Sequence, residues 1–375
     1  MKKIKQVLPG IAFCFAVMLL GGVIADIIGQ VITRLQGLEN ASSPISGIFL
    51  AVILGLLIRN IFGLPLIFKD GVIFSIHFML KFGIVLLGIR LSFLDVLKLG
   101  SWGLPIILAS VLTGLFVTLW ITKWLHQSQR LGVLTAVGTS ICGVTAIVGT
   151  SPGIKANDEE IAYAIANVTL FGIIAMFFYP YLAFYIFQND PIKAGLFLGT
   201  AIHETAQVAG AALIYDQVYN MAQVIDIATI TKLTRNSLLV VIVPIMSYYY
   251  LNIVADRTGA NDKNLYNWYK LIPLFVLGFL SLAIIRTIGD AGVTSQGLAF
   301  GALNPDAWQT LWRSLSTLGS KYMLGIAMAG IGLATNIGVF KGLGLKPFYI
   351  GMVAAISVTI ISLIMVHLLG GFIKF

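Results

Sequence analysis

The sequence predicts an all-α polytopic membrane protein, one integral domain over residues 1–375, with inverted repeats and broken helices. Three observations carry that prediction. Of the 375 residues, 58% are hydrophobic and 10% charged, against about 25% charged in a soluble domain. About eleven apolar runs of roughly 20 residues follow one another with short polar gaps, each long enough to span a bilayer. Two of these runs are interrupted at matching points, which in an internally repeated membrane protein marks a transport site.

In chain order the predicted spans fall near 8–30, 45–62, 71–94, 102–124, 131–150, 161–187, 193–214, 222–251, 271–288, 311–337 and 348–371. The first follows Met1-Lys-Lys-Ile-Lys5 and could imitate a signal peptide, but its apolar run is long enough to span and lacks a small-residue cleavage site. It reads as a retained helix. With the N-terminus in the cytoplasm, the Lys and Arg residues, among them Lys2, Lys3, Arg59, Lys69, Lys123 and Arg130, favour the inside. That predicts N-in, C-out. The polar stretches Ala255–Trp268 and Asp290–Trp308 read as loops. Trp102, Trp120, Trp124, Trp268 and Tyr248–Tyr250 read as interfacial aromatics. Cys14 and Cys142 lie in apolar segments, so no disulfide framework is expected.

The fifth run reads Gly138-Thr-Ser-Ile-Cys-Gly143-Val-Thr-Ala-Ile-Val-Gly149-Thr-Ser-Pro152, too rich in glycine and hydroxyls for a continuous helix. Gly199-Thr-Ala-Ile-His-Glu204 repeats its opening in the seventh run, and each copy precedes a helix expected to end at a proline, Pro180 or Pro244. A broken helix bares backbone N–H groups and a positive dipole end at membrane depth, which suits an anion. Close packing of small residues is the plainer account. An outer echo pairs Met79-Leu80 and Gly88 with Met323-Leu324 and Gly332, and Arg59 with Arg286, an odd number of spans apart, as inverted repeats require. The central pair is two spans apart and would be parallel, unless one segment re-enters without crossing.

Charged residues within spans sharpen the reading. Lys232, Arg235 and Asn236 share one helix face, and cations in mid-span normally face a cavity or a partner. The matching stretch Asn167-Val-Thr169-Leu-Phe-Gly172 is polar but uncharged, which suggests one site. His77 and Lys81 form another polar face. Counting Lys81, Lys232 and Arg235 against Asp26 and Glu204 leaves an excess of buried positive charge that an anion would neutralise. His203-Glu204-Thr205-Ala206-Gln207 fails as a metalloprotease motif because Gln207 stands where the second His is needed. Gly138-xxxx-Gly143 fails as a phosphate loop because Val144 and Thr145 follow it. Asp158-Glu-Glu160 reads as a helix cap. No metal and no cofactor is expected.

The runs Gly138–Gly143, Thr145–Ile147, Glu159–Ala164, His203–Ala211 and Lys232–Asn236 together resemble the YeiH family of bacterial inner-membrane proteins, which carries the label of sulfate exporter. The resemblance implies a multi-pass inner-membrane transporter with crossing broken helices, similar in plan to bile-acid-symporter-like folds. The expectation is a secondary transporter of a small anion, sulfate or a related sulfur oxyanion or sulfonate, working by alternating access and not an enzyme. Thr139, Ser140, Cys142, Gly143, Thr145, Thr200, His203, Glu204, Thr205, Lys232, Arg235 and Asn236 are the candidate substrate-binding residues. Glu204 and His203 are the candidates for proton coupling. A passive anion channel and a membrane enzyme using His203 and Glu204 are the alternatives. Expected partners are a small anion and the bilayer, not nucleic acid; a homodimer is left open.

Overall fold

The computed structural model describes residues 2–36, 46–258, 274–336, 338 and 345–373. In chain order the helices are α1 (Lys2–Gln36), α2 (Gly47–Ile61), α3 (Leu66–Phe74), α4 (Leu80–Leu87), α5 (Phe93–Trp124), α6 (Gln129–Val137), α7 (Val144–Thr150) and α8 (Asp158–Phe187). Then come α9 (Pro191–Ala201), α10 (Thr205–Tyr219), α11 (Gln223–Ser237), α12 (Leu239–Thr258), α13 (Leu274–Gln296), α14 (Pro305–Thr317), α15 (Leu324–Ala334) and α16 (Leu345–Leu369). Among the described residues six helical stretches are long and apolar enough to cross a membrane, seven if α11 and α12, bent by 41° at their junction, count as one span. This is an all-α polytopic membrane protein. Trp268 and most of the Ala255–Trp268 stretch lie outside the described residues.

The chain forms two compact units. The first comprises 1–98, 212–226 and 274–338. Within it the outer echo takes physical form. A π-helical turn over Ser75–Met79 gives way to α4 at Leu80, and one over Leu318–Met323 gives way to α15 at Leu324. The two glycines of the echo are both points of close backbone approach. A Cβ on Gly88 would stand 2.2 Å from the Phe279 carbonyl oxygen of α13, and one on Gly332 would stand 2.3 Å from that of Val52 in α2. Each repeat thus packs its glycine against the other repeat's helix. Helix α13 runs past Arg286 to Gln296, so the expected loop at 290–308 shrinks to a turn before the Asn304 cap of α14. Arg286 pairs with Asp290 at 2.7 Å and stacks on Trp312. His77, Lys81 and Asp26 are all exposed, so the last two leave the tally of buried charge.

The second unit comprises 99–211, 227–273 and 339–375. Its axis is α8, 30 residues or about 45 Å long. Asn157 starts it with a capping box closed by Glu160, as the acidic run suggested. Pro180 and Pro244 lie inside α8 and α12 and do not end them. Tyr250 is buried and accepts a 2.9 Å bond from Arg130 Nε, so it does not belong with the interfacial aromatics.

Both interrupted segments reverse direction. Ser128 Oγ donates to Glu160 Oε1 at 2.5 Å, so α6 begins where α8 begins. Between them the chain goes in along α6, turns at Gly143 and comes back along α7; a Cβ on Gly138 would stand 2.8 Å from the Ile147 side chain. The second segment starts from the other end of α8. There α9 and α11 run parallel, Gly195 against Ile227 and Gly199 against Thr231. Because α10 ends at Tyr219, just before α11 begins at Gln223, α10 must return to the end from which α9 set out. These are two re-entrant hairpins. They meet tip to tip near the middle of α8, where Gly138 faces Val168 and Gln207 Nε2 donates to the Thr169 carbonyl. The expected crossing helices, and two of the eleven predicted spans, are corrected accordingly, and the parity conflict between the central copies disappears.

Candidate functional site

Each hairpin tip is a broken helix, and each break leaves two kinds of unpaired backbone group. The incoming helix ends in carbonyls without partners, and the outgoing one opens with N–H groups without partners. At the first tip a π-helical turn over Gly138–Cys142 ends in Gly143, which has φ +52° and ψ −126°, a backbone only glycine adopts easily. At the second, α9 stops at Ala201, Ile202–Glu204 are extended or bent, and α10 opens at Thr205. The tips touch: a Cβ added to Gly143 would stand 3.1 Å from Glu204 Cβ.

Helix α11 supplies what the carbonyl ends lack. Lys232 Nζ donates to the carbonyls of Ile141 and Ile202 at 3.0 Å each, and to that of His203. Arg235 donates through Nε to Ser140 O (2.6 Å), through Nη1 to Thr200 O (2.7 Å) and Ile202 O (3.2 Å), and through Nη2 to Thr139 O (2.5 Å). Six carbonyls, three from each tip, are thus gathered by two cations, both 0% exposed. A cation at a helix C-terminus also complements the dipole. Of the two settings expected for mid-span cations, a cavity or a partner, Lys232 and Arg235 have the second: main-chain carbonyls are their partners, and the two side chains bind the tips together.

Several other candidates share that structural work. His203 is buried and sets Nδ1 3.1 Å from the Thr139 carbonyl, which requires the hydrogen on Nδ1. Thr139 and Thr200 turn their hydroxyls back on the carbonyls of Thr135 and Leu196. The remaining candidates lie on the outgoing side. Thr145 is exposed, and Glu204 and Thr205 are partly accessible. Among the described residues no ion pair holds the Glu204 carboxylate. Thr205 Oγ1 accepts from Asn236 Nδ2 at 3.0 Å and lies 3.4 Å from Cys142 Sγ. Asn236 Oδ1 and Ser140 Oγ are buried with no hydrogen-bond partner among the described residues. All twelve predicted residues thus gather at the tips, divided between carbonyl-binding and accessible sets.

Other residues of the assembly were not among the twelve candidates. The Ile141 and Ile202 carbonyls carry no side-chain signal. Gly195 and Gly199, which seat α9 on α11, form a small-xxx-small spacing that could have been read. Gln207 anchors α10 to α8. Asn167 donates to the Pro347 carbonyl and so packs α8 against α16.

The family model described as conserved hypothetical protein 698 matches residues 9–351. A UPF0324 membrane protein of Streptococcus mutans is 32% identical over 365 residues, covering 97% of this chain and 98% of the relative. A second, of Fusobacterium nucleatum, is 31% identical over 335 residues, covering 88% and 91%. A third, of Streptococcus pyogenes, is 33% identical over 320 residues, covering 85% and 89%.

Proposed function

We propose that this chain, which belongs to the UPF0324 family of membrane proteins and fits the YeiH family name, is a secondary transporter of a small anion. One observation carries the reading. Two re-entrant hairpins meet tip to tip, and two fully buried cations occupy their carbonyl ends. What stays open is the outgoing side: the N–H groups that start α10 and the Thr205 and Thr145 hydroxyls. A helix N-terminus favours negative charge. Lys232 and Arg235 against Glu204 leave the tips with a net positive charge to be met. Sulfate, or a related sulfur oxyanion or sulfonate, offers acceptor oxygens to hydroxyl and N–H donors. The basic pair acts from behind, through its field, and Thr205 and Thr145 make contact. Glu204 is the group that takes up the coupling proton, and the site opens to the two sides of the membrane in alternation.

The test is purified protein in proteoliposomes, with uptake of radiolabelled sulfate and thermal stabilisation by sulfate, sulfite, thiosulfate and taurine against chloride. Stabilisation by at least one sulfur anion, with concentrative or counterflow uptake lost in Thr205→Val, is expected. If no anion of the set shifts Tm and none is taken up, the reading fails.

A further inference from the structure

The surroundings of Lys232 resemble an ion site more than a side-chain contact. Its Nζ meets three acceptors, the main-chain carbonyls of Ile141, Ile202 and His203, and an ammonium has three hydrogens to give. The acceptors come from both hairpins, so the charge holds two separate helix breaks together. Unwound carbonyls and half-helix C-terminal ends are what membrane carriers present to a bound monovalent cation, and rings of carbonyls replace an ion's hydration shell in channels. Here a charge on a four-carbon tether, 0% exposed, fills that place. Arg235 lies one turn further along α11 and draws on neighbouring carbonyls, sharing only Ile202. Removing the Lys232 side chain therefore leaves three oxygens aimed at one point, with the other partners of the tips in place.

We propose that the hairpin tips form a monovalent-cation site which this chain fills permanently with the Lys232 ammonium, so that it cycles without sodium or potassium. Lys232→Ala should then bind a free ammonium or alkali ion in its place. Ammonium fits best, because two of the oxygens lie 3.0 Å from Nζ, an N–H···O distance. Potassium, which takes longer oxygen contacts than sodium, should rank next. The consequence for flux rests on the transport reading above; the consequence for stability does not.

The experiment measures Tm of the detergent-solubilised full chain in chloride salts of N-methylglucamine, sodium, potassium and ammonium at equal ionic strength, with no anion of interest present. The unsubstituted protein is expected to melt at one temperature in all four. Lys232→Ala, extracted throughout in ammonium chloride, should melt lower in N-methylglucamine and regain several degrees with ammonium, rising with its concentration as a ligand of the folded state must. Lys232→Met, whose side chain blocks the space, should show no such response. Sodium or potassium dependence of the unsubstituted protein would overturn the proposal. So would Lys232→Ala that is equally stable in all four salts, or that cannot be recovered even in ammonium. Cation rescue in a protein that moves no sulfur anion would keep the site and remove the anion reading.

Discussion

Gly143 turns the first hairpin at φ +52° and ψ −126°, with Glu204 Cβ only 3.1 Å from where its own Cβ would be. Alanine there is strained twice, by the backbone and by the facing tip. Gly143→Ala should cost about 1–3 kcal/mol, seen as a fall in Tm. Gly22, in α1, is the control, because a Cβ added there would meet nothing within 4 Å. Gly22→Ala should change stability by less than about 1 kcal/mol, in the stabilising direction. Arg235 gives a second test. Its guanidinium serves Thr139, Ser140, Thr200 and Ile202 from one planar group. Lysine keeps the charge but not the fork. Arg235→Lys should leave buried carbonyls unpaired, at about 1–3 kcal/mol for each, and a Tm equal to that of the unsubstituted protein would show that the fork is not needed. The sequence announced both cations and their shared face. It could not announce their partners, because every residue carries a carbonyl and only the fold decides which ones are left over.

At the scale of elements, the interruptions were legible and their consequence was not. Glycine and hydroxyl density marks Gly138–Pro152 and Gly199–Glu204 as broken, but a broken helix can continue or reverse, and composition does not distinguish the two. The deciding contacts are long-range. Ser128 with Glu160 closes the root of the first hairpin, and Gly195 and Gly199 against Ile227 and Thr231 set α9 parallel to α11. The parity conflict between the two central copies was the one trace of this in the sequence. The outer repeat was easier, because matched Met-Leu pairs fall where a π-helical turn yields to α-helix in both copies. Accessibility tests the hairpins directly. In a background with Cys14 and Cys142 replaced, single cysteines at Ser128 and Asn157 should react with an impermeant thiol reagent from one side of the membrane. Cysteines at Gln188 and Asn220 should react from the other. Labelling of 128 and 157 from opposite sides would mean that the segment crosses.

For the molecule as a whole, the proposed anion reading requires a carboxylate and an anion to share one place. Glu204 stands at the start of α10, partly accessible and without an ion pair among the described residues, beside the donors assigned to the substrate. Two like charges about 5 Å apart repel by roughly 3 kcal/mol at an effective dielectric of 20. On the proposed anion reading, an anion would load readily only when Glu204 holds a proton, and a loaded carrier would move both. The sign follows: anion affinity should rise as pH falls, and an inward proton gradient should drive accumulation of the anion on the side to which protons flow. Glu204→Gln keeps the shape and removes the charge. It should bind sulfate with the same affinity across pH and exchange it in counterflow, while losing accumulation against a gradient. Radiolabelled sulfate uptake with and without an imposed pH difference makes the comparison. Gradient-driven accumulation that persists in Glu204→Gln would place the proton on another group.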